Sequence, residues 1–150
     1  MRIALWLHVT GVVVWVGGMF FAHMALRPAA AALPPPTRLP LLASTLARFF
    51  RWAGVAIALV LASGAWMTVE RGGFRAVGAD VHAMTAVGLV MTLVYAYIAA
   101  VPYRALRAAV AATQWEAGGA AMATIRRLVA LNLALGLITI AIATLARGVA

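Results

Sequence analysis

The sequence predicts an all-α integral membrane protein, a four-transmembrane-helix bundle in which residues 1–150 form a single transmembrane domain. Three observations predict it. Apolar residues make up 66% of the chain and charged residues only 10%, against roughly a quarter charged in soluble domains. Four apolar stretches come close to the about 20 residues a helix needs to cross a hydrocarbon core. The three acidic residues, Glu70, Asp80 and Glu116, all fall between those stretches.

The first span covers about residues 3–26, and Pro28 is expected to end it. Leu33 to Pro36 (LPPP) is a rigid, non-helical link, since each proline fixes φ and removes a donor. Residues 39–50 mix Leu and Phe with Arg48, just after Arg38. They predict a short interfacial amphipathic helix leading into a second span over about 52–69. Residues 70–80 carry Gly72, Gly73 and Gly78 and predict a tight polar turn. The third span covers about 81–101 and is closed by Pro102. Gly118 and Gly119 are expected to break an Ala-rich helical segment before the fourth span, about 128–145.

All twelve basic residues are Arg, and the formal charge is +9. They sit at the ends of apolar runs rather than in one patch, which excludes a nucleic-acid surface and suits lipid headgroups. The first and third connections carry eight of them, Arg27, Arg38, Arg48, Arg51, Arg104, Arg107, Arg126 and Arg127. The opposite side carries four, Arg2, Arg71, Arg75 and Arg147. That bias predicts a bacterial inner membrane protein with long connections in the cytoplasm and both termini periplasmic. The first span is not expected to be a cleaved signal peptide. Its n-region is a single Arg, its apolar stretch is too long, and Arg27 follows it. Cysteine is absent, which excludes disulfides, thiolate metal sites and Cys nucleophiles.

The halves share a weak pattern. His8 lies 20 residues before Pro28, and His82 lies 20 before Pro102. Arg51 follows Pro28 by 23 residues, and Arg126 follows Pro102 by 24. Each half then reads as a helical hairpin, and the two hairpins form a parallel pseudo-repeat about the membrane normal. That geometry sets His8 and His82 at equal depth, facing each other across the bundle.

An intramembrane ionisable residue is a functional candidate by default. At about 100° per residue, Gly11, Val12, Trp15, Met19, Ala22 and His23 share the face of His8. Thr85, Leu89, Leu93 and Tyr97 share that of His82. Two opposed imidazoles are suited to axial ligation of haem b. Trp6, Trp15 and Leu89 would wall the porphyrin, and Arg2, Arg71, Arg75 and Arg147 would meet its propionates. This predicts a b-type haem redox or electron-transfer protein, an oxidoreductase working with a redox partner or quinone. Two alternatives stand beside it. One is copper homeostasis or transport, since thioethers suit Cu(I) and seven Met are present, with Met84 two residues after His82. The other is an accessory subunit without a cofactor, its histidines solvated at the interface.

His23 lies about 22 Å deeper than His8 at 1.5 Å per residue, too far to share a metal with it. It is expected to bond Asn132 or Tyr97, or to sit among headgroups, with ligation of a second haem or metal as the alternative. Asn132 is read as an interhelical hydrogen-bonding residue, with a ligand or quinone contact as the alternative. The cluster of Arg48, Arg51, Arg126 and Arg127 reads as topology and anionic lipid, with propionates or an anionic substrate as the alternative. Gly54, Ala58 and Ala62 offer a small-residue face for a homodimer. No Ser-His-Asp set, buried carboxylate or long polar stripe is present within the spans, which argues against hydrolase, proton pump and channel.

Trp6-Leu7-His8 through Trp15-Val16-Gly17-Gly18, with His23 and Arg27-Pro28 after it, resembles the first span of CopD-like membrane proteins. Arg48-Phe49-Phe50-Arg51 resembles that family's entry into the second helix, and Arg126-Arg127-Leu128 through Asn132 and Gly136 its last helix. The resemblance implies a helical membrane bundle tied to copper resistance or uptake. It is distantly similar to the HemJ-type haem-binding membrane proteins as well. In those relatives a Lys follows the third-span His closely. Here the run is His82-Ala83-Met84-Thr85 with no Lys in the chain, which argues against protoporphyrinogen oxidation.

Overall fold

The computed structural model describes residues 1–145. Arg147 therefore lies outside the described residues. Helix α1 (Arg2–Phe21) runs through one π-helical turn (Ala22–Leu26) into α2 (Arg27–Ala31) without a break. Pro28, expected to end the span, is instead housed at the start of α2. Its ring would crowd the carbonyl four residues back, and that carbonyl belongs to the widened π turn.

Pro34 is extended at φ −66°, ψ 152°, and α3 (Pro35–Glu70) starts on two further prolines. Their missing N–H groups fall where a helix leaves its donors unpaired anyway. The separate interfacial helix expected over 39–50 does not exist. Those residues are early turns of α3, which carries Pro40 inside it and runs for 36 residues. At 1.5 Å per residue α3 is about 54 Å long, well beyond a hydrocarbon core of about 30 Å.

The expected turn follows. Gly72 (φ +95°) and Gly73 (φ +84°) adopt left-handed backbone, open to glycine at no steric cost. The Gly73 N–H closes back on the Thr68 carbonyl at 2.9 Å. Helix α4 (Ala79–Ala100) then begins with Asp80 in its first turn, which complements the helix dipole. Val101 leaves helical geometry (φ −114°, ψ −80°), as a residue before proline tends to. Pro102 opens α5 (Pro102–Ala111), which buries Leu106 and Ala109 and exposes Arg104 and Arg107.

Helix α6 (Trp115–Leu145) includes Gly118 and Gly119, so these glycines are not a helix break. The chain reverses instead at residues 112–114, where Thr113 takes φ 55°. Gly118 is a close approach: a Cβ there would sit 3.0 Å from Leu39 and 3.6 Å from Ala109.

Four helical rods, Arg2–Ala31, Pro35–Glu70, Ala79–Ala111 and Trp115–Leu145, are long and apolar enough to cross a membrane. They pack as two hairpins, α1 on α3 and α4–α5 on α6, with α6 also touching α1 and α3. The core joins Trp15 and Met19 to Phe50, Ala53 and Ile57, and these to Met91, Ile98 and Leu133. Glycines let backbones close up, as small residues do in membranes. Gly11 lies under the Ala56 carbonyl and Val60, Gly18 under the Phe49 ring, and Gly136 under Val16 and Met91. Tyr95 and Tyr103 donate to the Phe50 and Ala43 carbonyls at 2.8 and 3.3 Å. Both rings meet Phe50 edge-on, which ties α4 and α5 to α3. Of the small-residue face read for a homodimer, Gly54 lies under the Tyr95 hydroxyl, while Ala58 and Ala62 are exposed.

Residue 1 and the α3–α4 turn mark one end of the bundle, here the turn end, where the Met1 amine pairs with Glu70 at 3.2 Å. The link at 32–34, α5 and the start of α6 mark the other, the arginine end.

Candidate functional site

His8 is held near the turn end by the tight α1–α3 seam. Ala4 is fully buried one turn before it, and Gly11 meets α3 one turn after. Gly64 makes room for the ring, since a Cβ there would lie 3.4 Å from His8 Cε1. The imidazole is half-buried, with Nδ1 3.0 Å from the Val60 carbonyl and 3.1 Å from Ser63 Oγ.

This geometry selects a tautomer. The Val60 carbonyl can only accept, and the Ser63 hydroxyl donates to the Leu59 carbonyl. Both oxygens therefore receive from His8, so Nδ1 carries the hydrogen and Nε2 keeps its lone pair. An imidazole whose Nδ1–H is fixed on a backbone carbonyl is the usual arrangement of a metal-ligating histidine.

The contacts His8–Ser63 and Met1–Glu70 bracket one stretch of the seam. Met67 lies inside it, one turn beyond Ser63 on the same face of α3, and is half-buried. A thioether and a neutral imidazole are ligands that Cu(I) accepts. Sequence reasoning missed Met67. Its only local signal was Ser63-Gly64, a polar and small pair one turn earlier in an apolar span. The α1–α3 register, invisible in the sequence, sets His8 against Val60, Ser63 and Gly64, one turn from Met67 along α3.

His82 is elsewhere. It is exposed and stacks on Phe74 of the preceding turn, with centroids 5.7 Å apart at 37°. On α4 it lies nine residues from Met91, half a rotation at 100° per residue, and Met91 is the buried face. Leu89, Leu93 and Tyr97, on the His82 face, are 51%, 70% and 51% exposed. The expected opposition of His8 and His82 across the bundle is thus corrected: His82 faces outward.

The expected porphyrin walls diverge too. Trp6 and Leu89 are exposed, while Trp15 is packed into the core at 3% exposure. Arg71 and Arg75 are exposed in the α3–α4 turn. Among the described residues, no three of His, Asp and Glu gather as a metal-binding group.

His23 lies at the arginine end. It sits in the π turn and lines a groove of about 480 Å³ with Arg27, Arg38, Arg48 and Arg126. Of the expected cluster, Arg48 and Arg126 line this groove and Arg51 and Arg127 do not. Asn132 is not its partner. The Asn132 side chain is 2% exposed and donates from Nδ2 to the Met91 carbonyl at 3.2 Å. That carbonyl can only accept, which fixes the amide orientation and leaves the buried Oδ1 without a partner among the described residues.

Fold and sites define a multi-pass α-helical membrane protein with a half-buried imidazole bonded across the α1–α3 seam at one end and a basic groove at the other. Residues 43–146, more than half of the chain, match the family described as Copper resistance protein D (CopD), and the chain belongs to that family. The matched segment holds His82, Met67 and Asn132, whereas His8 and His23 precede it. Among curated proteins and solved structures no match is found. The HemJ-type likeness and haem b are not shown by these comparisons.

Proposed function

We propose that this CopD-family protein handles copper in the membrane, taking the ion at the turn end through His8 Nε2 and Met67. The observation that carries the reading is His8 Nδ1 within hydrogen-bond distance of both the Val60 carbonyl and Ser63 Oγ, an arrangement that leaves Nε2 as the lone-pair donor. The family match supports copper as the ion. Donor chemistry agrees: between His8 and the Met1–Glu70 ion pair the seam offers an imidazole and a thioether, and no acidic cluster is present among the described residues. That set suits a soft monovalent ion better than Mg²⁺ or Ca²⁺. Positive-inside bias supports a bacterial inner membrane orientation with the arginine end cytoplasmic and the turn end periplasmic. Copper would then be met on the side where free ion arrives.

The test is growth and metal content together. Deleting the gene should change copper tolerance, and the wild-type gene should restore it while His8→Ala should not. The purified wild-type protein should retain copper and show no Soret band. Unchanged tolerance, or a haem spectrum lost in His8→Ala, would overturn the copper reading.

A further inference from the structure

The groove at the arginine end opens between the π turn and α2 on one side and α6 on the other, with α3 beneath. Four arginines line it, Arg27, Arg38, Arg48 and Arg126. No carboxylate lines it. Among the described residues the ion pair Met1–Glu70 is the one formed, and it lies at the opposite end. The one hydrogen bond in which these four side chains engage protein is long, from Arg38 Nη1 to the Ala31 carbonyl at 3.5 Å. Like charges gathered beside a low-dielectric wall repel strongly unless a counter-charge joins them.

The rest of the lining is mainly apolar, including Val14, Phe21, Leu46, Trp52 and Val129. Its volume of about 480 Å³ falls within the range of roughly 300–1,000 Å³ seen for ligand sites. Two features keep the space open. The π turn adds a residue to one wall, and such turns concentrate at functional sites. Gly119 lines the groove, and a Cβ there would meet nothing within 4 Å. Its neighbour Gly118 is packed against Leu39, so Gly119 is not a close approach of the same kind.

A ligand for this space needs an anionic head and a long apolar body. The walls are membrane-crossing helices, so the leaflet itself supplies such a molecule at that depth. We infer that the groove is a binding site for an anionic phospholipid, its phosphate among Arg27, Arg38 and Arg126 and an acyl chain along the apolar wall. Copper binding at His8 is not required for it.

The experiment uses the purified full chain in mild detergent, given phosphatidylglycerol, phosphatidylcholine or inorganic phosphate. Retained lipid is read by native mass spectrometry and stabilisation by thermal unfolding. Phosphatidylglycerol is retained and raises the melting temperature, while phosphatidylcholine and inorganic phosphate do neither. Arg38→Gln and Arg126→Gln each weaken phosphatidylglycerol binding about fivefold. Gly119→Leu fills the groove and abolishes retention while helix content stays unchanged. Arg104→Gln with Arg107→Gln, a loss of two charges on the exposed face of α5 outside the groove, leaves binding intact. Equal loss in that control, an equal shift with inorganic phosphate, or equal retention of phosphatidylcholine would each overturn the assignment.

Discussion

His8 Nδ1 lies 3.0 Å from the Val60 carbonyl across the α1–α3 seam. The bond does two things. It pins the imidazole to α3 and it frees Nε2 for a ligand. Ser63→Ala keeps the Val60 bond but removes the second acceptor. Copper affinity should fall modestly in Ser63→Ala, within the about 10–100-fold that outer partners contribute, and far more in His8→Ala. Competition titrations against a Cu(I) chelator would read both, and equal affinity in Ser63→Ala and His8→Ala would count against this division of roles.

Gly11 and Gly17 should respond oppositely to alanine. At Gly11 a Cβ would sit 2.9 Å from the Ala56 carbonyl oxygen, which is backbone and cannot swing away. Gly11→Ala is expected to destabilise by about 1–3 kcal/mol through overpacking. At Gly17 a Cβ meets nothing within 4 Å, so Gly17→Ala should gain up to about 1 kcal/mol of helix propensity. Thermal unfolding in detergent would separate them, and a stable Gly11→Ala would show that the seam is looser than described.

Asn132 contributes one interhelical hydrogen bond and leaves one buried oxygen unpaired. Such bonds average about 0.6 kcal/mol in membranes, and an orphaned polar atom costs about 1–3 kcal/mol. Asn132→Leu is therefore expected to change stability by less than about 1 kcal/mol. Asn132→Asp, which sets an acceptor against the Met91 carbonyl, should be clearly destabilised. A large loss in Asn132→Leu would mean that Oδ1 has a partner of its own.

Thr113 takes φ 55° in the reversal between α5 and α6. Left-handed backbone costs a residue with a Cβ roughly 1–2 kcal/mol, and a β-branched side chain fits it poorly. Thr113→Gly should therefore raise the melting temperature, and a lowered one would show that the threonine side chain makes a compensating contact.

The four spans were legible because lipid selects for composition, and composition is visible in the sequence. The two hairpins expected from the spacing of His, Pro and Arg are present as α1 on α3 and α4–α5 on α6, but that spacing misplaced the end of the first span at Pro28. The direction of His82 was not. Its α4 face carries Leu89, Leu93 and Tyr97, and the buried face carries Met91 and Ile98. Both are apolar, so in a bilayer hydrophobicity does not distinguish inside from outside. Gly118 was misread for a related reason. A glycine pair marks either a break or a close approach, and only the position of Leu39 on another helix decides between them. The helix start at Pro35 was obscured by prolines that are punctuation in a link and tolerated in a first turn. The π turn around His23 left no mark in the apolar pattern at all.

Copper held jointly by His8 and Met67 at the turn end would carry a mixed nitrogen and sulfur ligand set. Copper K-edge X-ray absorption on the Cu(I)-loaded protein tests it most directly. Both nitrogen and sulfur scatterers are expected around copper, with the sulfur contribution reduced in Met67→Leu and copper itself lost in His8→Ala. A protein that takes up no Cu(I), or a spectrum unchanged by both substitutions, would contradict it.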